Sequence, residues 1–171
     1  MRYLSSDEVK QLEVKANSIR QSIIEMLSEA GSGHTAGPLD MADVFTLLYF
    51  GILKHDPKNP DWEERDRVIL SNGHICPVLY ATLAHAGYFD VEELLTLRKF
   101  GSRLQGHPHK GALPGIETSS GPLGSGLSQA VGMAIAERMN NQFSSKFFYC
   151  LTGDGELQEG QIWEAAMLAG K

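Results

Sequence analysis

The sequence predicts an α/β fold of three layers, a parallel sheet with helices on both faces, and three observations carry that prediction. Segments with apolar residues at helical spacing alternate with short apolar runs, the order of strands joined through crossover helices. Val68-Ile69-Leu70 and Phe147-Phe148-Tyr149-Cys150-Leu151 are short, β-branched or aromatic, and apolar on both faces, as buried parallel strands are. The second run leads at once into Gly153-Asp154-Gly155, placing a carboxylate at the end of a strand, where α/β sheets bind ligands. Only two strands are strong, fewer than a doubly wound sheet needs. Residues 1–171 are therefore expected to form one domain that is incomplete at its C-terminus.

Taken in order, Ser5 and Glu8 form a capping box, and Val9, Leu12, Ala16, Ile19, Ile23 and Leu27 recur at helical spacing until Gly31 and Gly33 end the pattern. A second helix is expected from about Pro38 or Asp40, carrying Met41, Val44, Phe45, Leu47 and Leu48, with the glycine-rich AGSGHTAGP between the two. HDPKNPDWEERD, residues 55–66, reads as a polar loop leading into the first strand. A helix from Pro77 to His85 follows, then one capped by Asp90 and Glu93 that runs through Leu94, Leu95 and Leu97 to Phe100. Residues 101–125 show no apolar period, and a loop of that length between helices is expected to be functional. Leu127 to Met139 forms the next helix, with Ala130, Gly132, Ala134 and Ala136 small enough for close packing, and Gln161 to Ala169 the last.

Composition narrows the functional classes. The 171 residues are 42% apolar and 21% charged, the balance of a soluble globular protein. A net charge of −6 without a Lys/Arg block argues against general binding to nucleic acid or to an anionic membrane surface. No apolar run approaches a membrane span, the N-terminus lacks the apolar core of a secretory signal, and Cys76 and Cys150 have neither redox nor zinc spacing. A cytoplasmic location with reduced thiols is expected.

Three constellations carry chemistry. Of the six histidines, His34, His74 and His107 each follow a glycine in a predicted loop, which points to one shared polar site; His55, His85 and His109 read as surface or structural. Asp154 is a hard-oxygen donor suited to Mg²⁺ or Ca²⁺, and Gly155 would let a phosphate approach the main chain at the coming helix. Gly121-Pro122-Leu123-Gly124-Ser125-Gly126 has the glycine spacing of a mononucleotide loop, but Leu127 stands where that loop needs lysine, so an ordinary nucleotide cradle is excluded. Glu156 and Glu159 would share a face if their stretch is helical; acid-base work and simple helix-dipole stabilisation are both open for them.

Together, SGH at 32–34, DRVILSNGH at 66–74, LQGHP at 104–108, TSSGPLGSGLSQAVGMAIAE at 118–137 and GDGELQEGQIWEAA at 153–166 resemble the transketolase family in its N-terminal, diphosphate-binding domain. The match is ordered along the chain, and its compact start and GSRLQGHP are similar to the split form, in which this domain is a separate polypeptide. Thr35 and Ala36 stand where the family commonly has Pro-Gly, and Asp40 where Gly is frequent.

The resemblance implies a thiamine diphosphate-binding fold, thiamine diphosphate with Mg²⁺ or Ca²⁺, and transfer of a two-carbon ketol unit from a ketose phosphate to an aldose phosphate. It assigns the metal to Asp154, the diphosphate to Gly155 and His74, and the aminopyrimidine to main-chain groups of Gly121 and Leu123. His34 and His107 would line the substrate channel as hydrogen-bond and proton-transfer partners, and Glu159 would join an acidic network between subunits. The family draws a further metal ligand from an Asn beyond Gly-Asp-Gly, yet no residue after Asp154 is Asn, so the chain is expected to be cut through its site and inactive alone. The glutamate that activates the aminopyrimidine belongs to a pyrimidine-binding domain, so the resemblance implies a C-terminal partner subunit and a homo- or hetero-oligomer. Two other readings compete: a non-catalytic truncated binding or assembly protein, and a zinc hydrolase using His34, His74 and His107.

Overall fold

Ser5 starts the first helix as its capping box requires: Ser5 Oγ accepts the Glu8 N–H at 3.3 Å, and Glu8 Oε2 accepts the Ser5 N–H at 2.8 Å. In the computed structural model, which describes residues 4–171, this helix, α1, spans Ser6–Ala30 and ends on Gly31 at φ 62°. Ala16, Ile19, Ile23 and Met26 form its buried stripe. The expected second helix begins earlier and is divided, into α2 (Ala36–Asp40) and α3 (Ala42–Leu47), and closes on a π-helical turn, Leu48–Ile52. Pro38 is tolerated because it sits in the first turn of α2, where its missing N–H has no intrahelical acceptor.

Strand β1 (Arg67–Leu70) and strand β2 (Phe148–Leu151) pair in parallel, with Arg67 opposite Phe148 and Leu70 opposite Leu151. Asp66, just before β1, ties that strand's start to the loop at Lys54 and to the start of β2, its carboxylate accepting the N–H of Lys54 at 2.9 Å and of Phe147 at 2.8 Å. Between the strands lie α4 (Cys76–Ala86) and α5 (Ser125–Asn140); α6 (Gly160–Ala169) follows β2. Alternation along β1 sends Val68 and Leu70 into the main core with α1, α3 and α4, and Ile69 to the other face, where α5 packs on both strands. Helices thus cover both faces of a parallel sheet, which has two strands among the described residues.

The helix expected from Asp90 to Phe100 is replaced by a 3₁₀ segment, Val91–Thr96. Asp90 makes no side-chain cap, and Glu93 is drawn away by Arg103, whose Nη2 donates to its carboxylate at 2.8 Å. Arg98 then adopts φ 60° and its N–H bonds the Leu104 carbonyl at 2.9 Å, so the chain folds back instead of continuing. The long loop after it is packed down: Leu104, Leu113 and Ile116 enter the main core, and Glu117 accepts from buried Arg65. No helix among the described residues is long and apolar enough to cross a membrane.

Candidate functional site

Because β1 and β2 are parallel and in register, the segments that follow them leave the same edge of the sheet. Ser71-Asn72-Gly73-His74 leaves β1, Gly153-Asp154-Gly155 leaves β2, and the Ser71 N–H still bonds the Leu151 carbonyl at 2.9 Å. Two loops close against this edge. The Ser120 N–H bonds the Pro108 carbonyl at 3.1 Å, and Ser120 Oγ donates to the Leu70 carbonyl at 2.5 Å. Gly73 is required there, since a Cβ would stand 2.6 Å from Ser120 Cβ and 3.2 Å from His107 Cδ2.

The three Gly-His loops lie together at this edge. The rings of His34 and His74 lie 4.8 Å apart between centroids, tilted by 54°. Burial, followed by the neighbouring His34 and His107, holds the His74 imidazole below its ordinary range, with Glu156 opposing. His34 and His107 are exposed. The other histidines are structural: His55 bonds the Tyr49 carbonyl at 2.7 Å and stacks on Tyr88, His85 bonds Ser22 Oγ at 3.0 Å, and His109 meets Ser119 at 3.3 Å. No group of three or more His, Cys, Asp or Glu among the described residues is arranged to hold a metal ion.

Gly124, at φ 86°, turns the glycine loop into α5, and Gln161 Nε2 on α6 fastens it by donating to the Leu123 carbonyl at 2.9 Å. A methyl group on Gly121 or Gly155 would meet nothing within 4 Å, so the main chain is approachable at both positions. Asp154 is exposed at the head of a 3₁₀ turn, Gly155–Gln158.

Glu156 and Glu159 do not share a role. Glu159 is exposed at the start of α6 without a side-chain cap, whereas Glu156 is 2% exposed. Glu156 Oε1 accepts from Ser71 Oγ and from the Gly124 N–H, and its Oε2 accepts the Gly153 N–H at 3.0 Å. Ser71 Oγ in turn accepts the Gly126 N–H at 3.0 Å. Sequence reasoning missed this clasp; the only signal was a carboxylate following Gly-Asp-Gly closely enough to fold back on it.

The donor set fits a diphosphate with a divalent cation. Asp154 offers an exposed hard-oxygen ligand, Gly155 an approachable main chain, and His74 an imidazole N–H. Beside Gly153, Asn72 is 5% exposed and its Oδ1 has no hydrogen-bond partner, an acceptor left over by the fold itself.

Comparison with known proteins bears on this directly. Residues 11–171 match the family described as transketolase, thiamine diphosphate binding domain. The chain is 46% identical over 165 residues to the 6-deoxy-6-sulfo-D-fructose transketolase subunit SqwG of Clostridium sp. (strain MSTE9), covering 96% of this chain and 59% of that protein. Over 164 residues it is 44% identical to transketolase 2 of Escherichia coli (strain K12), covering 91% of this chain and 25% of that protein. Among solved structures, transketolase from Leishmania mexicana superposes with a TM-score of 0.87 at 38% identity, over 98% of this chain and 26% of that one. The chain thus spans between a quarter and three fifths of the length of these relatives.

Proposed function

The chain belongs to the transketolase family through its thiamine diphosphate binding domain, and on that premise we propose that it holds the diphosphate end of thiamine diphosphate with Mg²⁺ or Ca²⁺ in a two-carbon ketol transfer from a ketose phosphate to an aldose phosphate. The observation that carries the reading is the convergence of His34, His74 and His107 with the Gly121–Gly124 and Gly153–Gly155 turns at one edge of a parallel sheet.

When bound, thiamine diphosphate supplies a thiazolium carbanion and an electron sink. The protein's part is placement and proton handling. The Asp154 carboxylate binds the cation, and the Gly155 main chain and the His74 imidazole meet the diphosphate. His74 suits that role because an imidazole N–H can donate to a phosphate oxygen. Main-chain groups of Gly121 and Leu123, fastened through Gln161, hold the aminopyrimidine. His34 and His107, both exposed, would line the substrate channel, where an imidazole can hold or move a proton. Glu159, exposed at the N-cap of α6, would join an acidic network with a neighbouring subunit.

A pyrimidine-binding domain on a partner chain completes the site, in keeping with the subunit naming of the Clostridium relative. The partner is the C-terminal transketolase subunit, in a homo- or hetero-oligomer, and the unpaired Cys76 and Cys150 suit a reducing cytoplasm.

Calorimetric titration of thiamine diphosphate with and without Mg²⁺, in the presence of that partner, tests the reading. Mg²⁺-dependent binding that Asp154→Ala weakens by at least about 100-fold, the scale of removing a charged ligand from a cation, is the expected result. Binding indifferent to Mg²⁺ and to Asp154→Ala would refute it, and no binding at all would favour the non-catalytic assembly role. The transfer assay includes a sulfonated ketose beside the phosphorylated one, since a 46% identical relative is named for such a sugar.

A further inference from the structure

Glu156 is the most deeply buried acidic side chain among the described residues, 2% exposed. Its hydrogen-bond partners are all donors: the Ser71 hydroxyl, the Gly124 N–H and the Gly153 N–H. Two of them, the main-chain N–H groups of Gly124 and Gly153, can only donate, and they meet different oxygens of the carboxylate, while Ser71 Oγ also accepts the Gly126 N–H at 3.0 Å. The surroundings therefore call for a group that only accepts, which is what a carboxylate is and what an amide is not.

The three donors belong to three different segments. Ser71 follows β1, Gly124 closes the glycine loop one residue after Leu123, and Gly153 opens the turn one residue before Asp154. One side chain thus ties the main chain that would meet the aminopyrimidine to the turn that would bind the cation, and anchors both to the sheet. From this geometry we infer that Glu156 is a positioning residue: it sets the relative placement of the Gly121–Gly124 loop and the Asp154 turn before the cofactor arrives. The inference rests on the functional reading above, since it gives that placement its purpose. Glu156 itself is too buried to touch a ligand and acts through Gly124 and Gly153. A cradle built in advance spares the ordering of two loops on binding, and that saving appears as affinity.

Glu156→Gln is the decisive variant because it keeps the shape. Whichever way the amide turns, its NH₂ faces at least one N–H or O–H donor, so a contact is lost and two donors are set head-on. The first measurement is amide hydrogen exchange on the full chain without cofactor. Protection at Gly124 and Gly153 is expected to fall at least about tenfold, on the scale of one charge-assisted hydrogen bond, while the amides of Ile69 in β1 and Leu83 in α4 keep theirs. The second is the dissociation constant for thiamine diphosphate at saturating Mg²⁺ with the partner chain present, expected to rise about tenfold or more by the same arithmetic.

A merely structural Glu156 would lower protection across the whole sheet and leave the affinity of the folded fraction unchanged, and that pattern overturns the inference. So does unchanged protection at Gly124 and Gly153. If Glu156→Gln does not fold, Ser71→Ala carries the test: it removes one of the three donors to the carboxylate together with the acceptor of the Gly126 N–H, and both readouts should move the same way by about tenfold, the scale of a charge-assisted hydrogen bond. Wild-type protein that fails to bind the cofactor refutes the functional reading and this inference together, whereas wild-type binding with unaffected variants refutes the inference alone.

Discussion

Gly126→Ala should loosen the joint between the glycine loop and the sheet by a predictable amount. A Cβ at position 126 would stand 2.4 Å from Ser71 Cβ, 2.5 Å from Ser71 Oγ and 2.6 Å from Ser71 Cα. The last of these is backbone, so no rotamer change relieves the contact and the start of α5 must move off the end of β1. Overpacking of this kind costs about 1–3 kcal/mol, and loss of the Gly126 N–H bond to Ser71 about 1 kcal/mol more, against about 1 kcal/mol returned by alanine's helix propensity. The net is about 2 kcal/mol, which in a chain of this size lowers Tm by about 4–8 °C.

Gly132→Ala is the internal control. It lies on the exposed side of the same helix, where an added methyl meets nothing within 4 Å, so the propensity gain is unopposed and Tm should rise by about 2 °C. Thermal unfolding followed by far-ultraviolet circular dichroism gives both numbers. A Gly126→Ala midpoint within about 1 °C of wild type, or one that moves with Gly132→Ala, would refute the argument from close approach.

Two further predictions concern ionisable groups. Glu117→Ala strands Arg65, which is 7% exposed and keeps only the carbonyls of Pro60 and Asp66, so urea unfolding should show a loss of about 3 kcal/mol; a loss below about 1 kcal/mol would mean that water reaches the guanidinium. Stability should also fall with acid in two separate windows. Burial lowers the pKa of both His74 and His85, so the unfolded chain binds protons first, and their contribution, intact above about pH 6.5, is lost as pH drops from there toward the lowered native values. Glu29, Glu93 and Glu137 are held low by hydrogen bonds from Lys99, from Arg103, and from Ser144 and Lys146, so their contribution is present above 4.5 and lost below it. His85→Gln should flatten the upper window alone in chemical unfolding measured across pH; an unchanged slope would contradict the assignment.

Elements defined by near neighbours are legible in the sequence. The Ser5–Glu8 box closes over three residues, and both strands announce themselves by composition. Where the sequence misleads, a distant partner outweighs a local preference. Glu93 has the position of a helix cap but is engaged by Arg103, and Arg98 turns the chain at φ 60° so that its N–H can reach Leu104. The candidate site divides the same way. Asp154 and the three Gly-His pairs stand out by residue type and setting, whereas Glu156 has the look of an ordinary acidic residue ahead of a helix.

The sequence by itself determined the α/β class, the order of elements and the residue types able to meet a diphosphate and a cation, because propensity, period and turn chemistry act within a few residues of chain. Only the tertiary structure decided which of them meet. Glu156 takes its donors from 85 residues away at Ser71 and 32 away at Gly124, and the His34 ring reaches His74 only because separate loops converge on one edge of the sheet. The physical reason is that a buried carboxylate is stable only where donors surround it; the parallel register of β1 and β2 brings Ser71 and Gly153 together and the loop ahead of α5 adds Gly124, an arrangement no local stretch of sequence contains.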